Sequence, residues 1–183
     1  MVPYVTIDLE SWLGIDLQIF FVLVAIAIVV GVYVYDTTAR RGGLVDPKVA
    51  FHLPELAVLG GFTGAHLLHV LAYHPELLSQ DPWVLFKIWG GISSIGGFLG
   101  GALLGGIYLK VKRQNIIPYG DRIVFGMTAA WIFGRLGCTL SHDHPGLHSD
   151  FFLAVAYPGG SRHDLGFYEW LMTLVLMAIF IVM

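Results

Sequence analysis

Arg135, Cys138, His142, Asp143 and His144 fall in one short run, GRLGCTLSHDHPG (134–146), at the end of an otherwise apolar stretch. An arginine is always charged, and its planar fork matches phosphate or carboxylate. Histidine titrates near neutral pH and a carboxylate beside it sets its orientation, so the run holds the parts for acid–base chemistry on an anionic substrate. A second set follows in SRHDLGFYE (161–169), with Arg162, His163, Asp164, Tyr168 and Glu169. A third, GGISSIGG (90–97), places Ser93 and Ser94 between paired glycines that include Gly96 and Gly97, a composition suited to a bent or re-entrant backbone beside a protected cavity. His142, Asp143, His144 and His148, with His163 and Asp164, also contain metal-ligand types. H-x-H supplies only two ligands and is not the H-E-x-x-H helix pattern. Acid–base chemistry by these groups needs neither metal nor cofactor, and none is assigned.

These residues must be positioned by membrane helices. The chain of 183 residues is 56% hydrophobic and 13% charged, and its mean hydropathy is +0.74. Too little charge is present to cover a soluble domain, and several apolar runs approach the roughly 20 residues that cross a bilayer. The expected fold class is all-α: one integral membrane domain over 1–183, a bundle of five transmembrane helices with a glycine-rich bent segment. The spans read as 17–35, 54–73, 91–111, 122–138 and 165–183. The first 16 residues carry Asp8, Glu10 and Asp16 and no Lys or Arg, so a cleaved leader is not expected and the first helix should stay. A net charge of −3 without a basic, aromatic-interleaved stretch argues against nucleic acid as a partner. The single cysteine, Cys138, excludes an internal disulfide and reads as a small buried side chain near the site.

Loop charge sets the expected orientation. Arg40, Arg41 and Lys48 follow the first span, and Lys110, Lys112 and Arg113 follow the third. Positively charged loops stay on the cytoplasmic side, so the N-terminus is expected outside and the C-terminus inside. Topology then brings the start of the third span, the end of the fourth and the start of the fifth to the outer face. His66, Arg135, Asp143 and His163 are expected to line one outward-facing cavity.

Two helices carry further signals. Glycines 97, 101 and 105, and 96 and 100, recur every four residues, which makes a close-packing face in lipid. In the second span His66 and His69 lie about 20° and 40° to either side of Glu55 on a helical wheel, one polar stripe. Ionisable groups at membrane depth cost about 3 kcal/mol each by insertion scales, so they face a bundle interior or a wet cavity. The stripe reads equally as interhelical bonding or as function. Arg135, in the fourth span, needs an anion: a phospholipid phosphate, or an internal pair with Asp143, Asp164 or Glu169.

Three motifs, in order, resemble those of the prolipoprotein diacylglyceryl transferase family. QDPWVLFKIWGGISSIGG (80–97) is similar to the family segment that ends G-G-x-S-x-H-G-G, GRLGCTLSHDHPG to G-R-x-G-N-x-x-x-x-E-x-x-G, and RHDLGFYE (162–169) to R-H-P-[ST]-Q-L-Y-E. The resemblance implies a bacterial inner-membrane enzyme that moves a diacylglyceryl group from phosphatidylglycerol to the lipobox cysteine thiol of a prolipoprotein. By position, Arg135 matches the signature arginine, Asp143 stands where a glutamate stands, Gly146 matches a glycine, and His163, Tyr168 and Glu169 match the later motif. Cys138 replaces an asparagine, Ile95 a histidine, and His66 stands where an arginine is usual; IFFV (19–22) replaces W-Y-G. The family pattern continues through two further helices and an arginine with no counterpart here.

Arg135, Asp143, His142, His163 and Glu169 are therefore the expected catalytic set, with His142 or His163 as base. His66, Ser93, Ser94, Gly96, Gly97, Cys138, Gly146, Arg162 and Tyr168 are the expected substrate-binding set. The expected partners are the membrane, phosphatidylglycerol or another anionic phospholipid, and a lipoprotein precursor. Two other readings stay open: a metal-assisted lipid hydrolase using the histidines, and a noncatalytic lipid-binding or assembly subunit.

Overall fold

Helices α1 (Ile19–Gly42), α2 (Pro47–Leu68), α4 (Ser94–Val111), α5 (Ile116–Ser141) and α6 (Leu165–Val182) carry the apolar sequence. The short α3 (Glu76–Gln80) and a 3₁₀ turn (Pro82–Phe86) lie between α2 and α4. The computed structural model describes residues 1–7, 18–42, 46–87 and 91–183; Asp8, Glu10 and Asp16 lie outside them. Among the described residues, five helices are long and apolar enough to cross a membrane: Ile19–Arg41, Pro47–Tyr73, Ser94–Val111, Ile116–Ser141 and Leu165–Val182. Large apolar side chains such as Phe21, Val29, Leu99, Leu103 and Val175 are exposed along them. In water such surface would drive association; in a bilayer it faces acyl chains, and the chain is a multi-pass helical membrane protein.

α1, α2 and α5 extend beyond their apolar runs, whereas α4 starts inside its run. α2 begins at Pro47, whose fixed φ suits a first helical position, and Asp46 caps it by accepting from Lys48 N–H. α4 begins at Ser94 and not at Gly91, because Ser93 is extended and its hydroxyl accepts from Gly96 N–H. Gly91 has φ +124°, a conformation that only glycine adopts without strain, and it supplies the bend expected in this segment.

The residues divide into two compact units, Met1–Thr37 with Arg122–Met183, and Thr38–Asp121. In the second unit α2 and α4 pack backbone to backbone. A Cβ at Gly100 would lie 2.2 Å from the Gly60 carbonyl oxygen, and one at Gly96 would lie 2.4 Å from that of Gly64. The closest seam is thus 96 and 100 against 60 and 64, while a Cβ at Gly97 would meet nothing nearer than 3.7 Å. Small residues permit this approach, and dispersion over the contact holds the pair in lipid.

In the first unit α1 and α5 approach similarly at Gly31 and Gly126; a Cβ on Gly126 would come within 2.7 Å of the Gly31 carbonyl oxygen. Between α5 and α6 the chain forms a small antiparallel sheet, β1 (Pro145–His148), β2 (Val155–Tyr157) and β3 (Gly160–Asp164), in the order β1-β3-β2. The helical membrane architecture is as expected, and this small sheet is an addition to it. Tyr157 pairs with Gly160 across a two-residue turn, Pro158-Gly159. The N-terminal residues cover the outer edge of β2: Val2 N–H donates to the Ala154 carbonyl and Ala156 N–H to that of Val2. An otherwise bare edge strand is satisfied in this way.

Candidate functional site

α5 delivers Arg135 and Cys138 near its C-terminal end, and His142 turns the chain sharply after it. His142 has φ +50°, uncommon for a residue with a side chain, and a dense network holds it there. Its Nδ1 lies 2.7 Å from Asp164 Oδ2 and its Nε2 3.1 Å from the Val5 carbonyl oxygen. Tyr4 stacks on the ring at 4.0 Å between centroids. Tyr157 donates its hydroxyl to the same Asp164 oxygen at 2.8 Å. Burial, with this bond to Asp164, pushes the Tyr157 phenol above its usual range and keeps it a donor. Asp164 is fully buried and also caps α6 by accepting from Phe167 N–H. Both ring nitrogens of His142 are thus engaged by structural partners, so it ties the N-terminal segment and the sheet to α6. A general base needs a nitrogen within reach of substrate; this one is committed elsewhere.

The turn brings Asp143 and His144 back over the helix end. Sγ of Cys138, an Asp143 carboxylate oxygen and a His144 ring nitrogen all lie within 4.8 Å of one another. Cys138 is buried, while the Asp143 and His144 side chains are 42% and 47% exposed.

Arg135 meets α6. Its Nε lies 2.8 Å from Glu169 Oε2, with side-chain exposures of 23% and 43%. The contact is an ion pair and not an aligned hydrogen bond, because among the described residues the buried Nε finds no acceptor along its N–H direction. The guanidinium also faces the Trp131 ring at 5.1 Å, and Nη1 approaches Cys138 Sγ at 3.8 Å. Of the internal partners weighed from sequence, Glu169 is the one at ion-pair distance. Helix α6 can come this close because Gly166 packs on Cys138, where an added Cβ would be 3.1 Å from the Cys138 backbone.

The remaining residues of this unit fall into place around it. His163 Nδ1 and the Tyr168 hydroxyl are 2.7 Å apart. Gly146 passes so close to His163 that a Cβ would lie 3.1 Å from its carbonyl oxygen. Arg162 donates to the Gly146 carbonyl and to His148 Nε2. The histidines thus have separate partners: His142 with Asp164, His144 with Asp143, His148 with Arg162, His163 with Tyr168. Of the two candidate bases, His142 is the one held by a carboxylate, Asp164, while His163 pairs with the Tyr168 hydroxyl.

His66, Ser93, Ser94, Gly96 and Gly97 belong to the second unit. His66 is almost wholly buried, with Nδ1 3.1 Å from the Gly91 carbonyl oxygen and Nε2 2.9 Å from that of Val84. Carbonyls only accept, so a neutral ring can donate to just one of them. The ring anchors the segment between α3 and α4, helped by Ser93 N–H donating to the Ala65 carbonyl. Glu55 is exposed beside His52, and His69 packs on His74, so the polar stripe separates into three local arrangements. A π-helical turn, His69–Tyr73, extends α2 here; sequence carried no signal for it. Ser94 and Ile95 are exposed.

The profile of the prolipoprotein diacylglyceryl transferase family matches residues 9–183. The chain belongs to that family. Curated relatives bear the name phosphatidylglycerol–prolipoprotein diacylglyceryl transferase. The one from Caldanaerobacter subterraneus is 34% identical over 77% of this chain and 52% of its own length. That from Thermoanaerobacter sp. is 33% identical over 75% and 53%, and that from Clostridioides difficile 28% over 85% and 62%. The chain spans about half the length of the curated relatives it matches. Arg135 joins α5 to α6 through Glu169, and Asp143 lies beside Cys138.

Proposed function

We propose that this transferase-family chain binds the headgroup of phosphatidylglycerol at Arg135 and transfers its diacylglyceryl group to a thiol, in the family the lipobox cysteine of a prolipoprotein. The observation that carries the reading is the Arg135 environment. Among the described residues, a half-buried guanidinium at a membrane helix end has one carboxylate partner at ion-pair distance, itself 43% exposed, in a poorly aligned pair. An incoming phosphate offers better acceptors to the same fork.

In the reaction a C–O bond between the diacylglyceryl carbon and the phosphate oxygen breaks, a C–S bond forms, the thiol proton leaves, and glycerol phosphate departs. Arg135 stabilises the charge that gathers on the leaving phosphate. His163 serves as base: with Nδ1–H donating to the Tyr168 oxygen, the Nε2 lone pair is the one that accepts a proton. Asp143 and Glu169 are the carboxylates at hand, Asp143 to assist proton transfer and Glu169 to hold the arginine until phosphate arrives. Gly146 and Arg162 position His163. His142, like His66 and Ser93 in the other unit, positions backbone and does not touch substrate. The protein works in the bacterial cytoplasmic membrane with its N-terminus outside, an orientation that the loop charges favour.

The test is lipid analysis by mass spectrometry of membranes with and without the protein. Consumption of phosphatidylglycerol with release of glycerol phosphate supports the reading. An unchanged lipid profile with folded protein present overturns it.

A further inference from the structure

We propose that Cys138, Asp143 and His144 form a binding site for a soft divalent cation such as zinc, with the open position facing solvent. Three chemically different ligand atoms, a sulfur, a carboxylate oxygen and an imidazole nitrogen, converge within 4.8 Å. Zinc bonds of about 2.0–2.3 Å in tetrahedral geometry need ligands about 3.3–3.8 Å apart, so the widest separations must shorten by up to roughly 1 Å and the 2.6 Å Asp143–His144 hydrogen bond must open. Asp143 and His144 can do this because both are about half exposed, and the same exposure is the entry path. The backbone cannot drift away, since the left-handed turn at His142 is fixed by Asp164, the Val5 carbonyl and Tyr4. The ligands are therefore preorganised by a network that does not itself bind the ion.

The donor set selects the cation. Thiolate and imidazole favour zinc, copper or cobalt, whereas magnesium and calcium take oxygen ligands. Binding breaks the Cys138 S–H bond, forms a metal–sulfur bond and releases the proton to solvent; no electron changes hands. The local charge permits it. Arg135 at 3.8 Å from Sγ contributes one positive charge, offset by Glu169 at 2.8 Å from the guanidinium. Asp143 and the thiolate then neutralise the dication, leaving the site without net charge overall. With three protein ligands, the fourth position is left to water or a small anion. The site shares Asp143 with the proposed lipid transfer, but cation binding is read from the ligand geometry and not from that reaction.

The experiment uses the whole protein, purified in detergent, stripped with a chelator and titrated with cobalt(II) and then zinc. The expected result is one equivalent bound, with a near-ultraviolet sulfur-to-cobalt charge-transfer band that zinc abolishes. Cys138→Ser should lose the band, and His144→Ala should weaken cobalt binding by about tenfold or more, since even outer-shell changes cost about 10–100-fold. His148→Ala, whose ring pairs with Arg162, should leave both unchanged. Should Cys138→Ser not fold, Asp143→Asn, on an exposed side chain, carries the same test through affinity. Cobalt binding without a sulfur band, a band that survives Cys138→Ser, or affinity that is indifferent to His144→Ala and Asp143→Asn would overturn the proposal.

Discussion

Replacing Arg135 separates a structural arginine from one that serves a phosphate. In Arg135→Gln the Glu169 carboxylate loses its charged partner. Fully buried pairs broken on one side cost about 3–5 kcal/mol and exposed ones about 0–1 kcal/mol. Side-chain exposures of 23% and 43% place this pair between them, nearer the exposed limit because water can reach the stranded carboxylate. About 1 kcal/mol follows for the pair. Loss of the guanidinium from the Trp131 face, 5.1 Å away, adds about 0.5–1 kcal/mol. At about 2–4 °C per kcal/mol for a chain of this size, the melting temperature should fall by roughly 3–8 °C without lipid. Turnover should fall much further. Two charge-assisted hydrogen bonds to phosphate are worth about 1.5–3 kcal/mol each, so the loss is on the order of 100-fold or more. Stabilisation by added phosphatidylglycerol should vanish with it, since a ligand stabilises only a state that binds it. Arg135→Lys should recover part of the turnover, keeping charge without the planar fork. The assay is thermal melting of the three proteins in detergent with and without phosphatidylglycerol, beside lipid turnover. A loss of more than about 3 kcal/mol without lipid, together with an unchanged lipid response, would refute the reasoning and make the arginine structural.

Gly100→Ala should destabilise by about 1–3 kcal/mol in thermal melting, because its Cβ would fall 2.2 Å from the Gly60 carbonyl oxygen; Gly106→Ala, with nothing within 4 Å, should be neutral or slightly stabilising. Asp164→Asn should cost about 2–4 kcal/mol, since it strands His142 but keeps an acceptor for Phe167 N–H, and hydrogen exchange should show faster exchange at Val2. Asp81 accepts from Lys87 Nζ and from Trp83 N–H, and these bonds hold its carboxyl below the usual range. With the folded value depressed, the protection of Pro82–Phe86 is complete above the unfolded carboxylate range and is lost only as pH falls through the lower folded value; hydrogen exchange against pH checks it, and Asp81→Asn should remove the dependence. Pro145→Cys in a Cys138→Ser background should label with an impermeant maleimide from outside intact cells, and labelling only after permeabilisation would reverse the assigned orientation.

Much of the fold was legible because lipid simplifies the code. Five apolar runs became five helices of bilayer length, and the four-residue glycine spacing became the α2–α4 seam, since period and small size alone dictate that packing. Helix ends were less legible. The polar turns of α1 and α5 continue past their apolar windows, where hydrogen bonding and not hydropathy decides the boundary. The sheet is less legible: AVAYPGGSRHD carries the signal of two short strands around Pro158-Gly159, but strands of three to five residues contribute little to a hydropathy pattern dominated by membrane helices.

At the site, residue types indicated which side chains do chemistry but not with whom. Arg135 was seen to need an anion, and Glu169 was one of three carboxylates named for it. The His142–Asp164 lock depends on Val5 and Tyr4, over 130 residues away in sequence, and no local pattern encodes that contact. His66 reads on a helical wheel as part of a polar stripe, yet two backbone carbonyls claim its ring, a partner type that side-chain spacing does not reveal. The Cys138–Asp143–His144 convergence needs the left-handed turn at His142, which sequence did not announce.

The central claim is that Arg135 holds a phospholipid phosphate while the diacylglyceryl group moves to a thiol. Its most direct test reconstitutes the protein in phosphatidylglycerol liposomes with a lipobox peptide and follows the peptide mass. The account predicts a peptide heavier by one diacylglyceryl group and an equal amount of glycerol phosphate, both lost in Arg135→Gln. Unmodified peptide and intact phosphatidylglycerol beside folded protein, or equal product from Arg135→Gln, would contradict it.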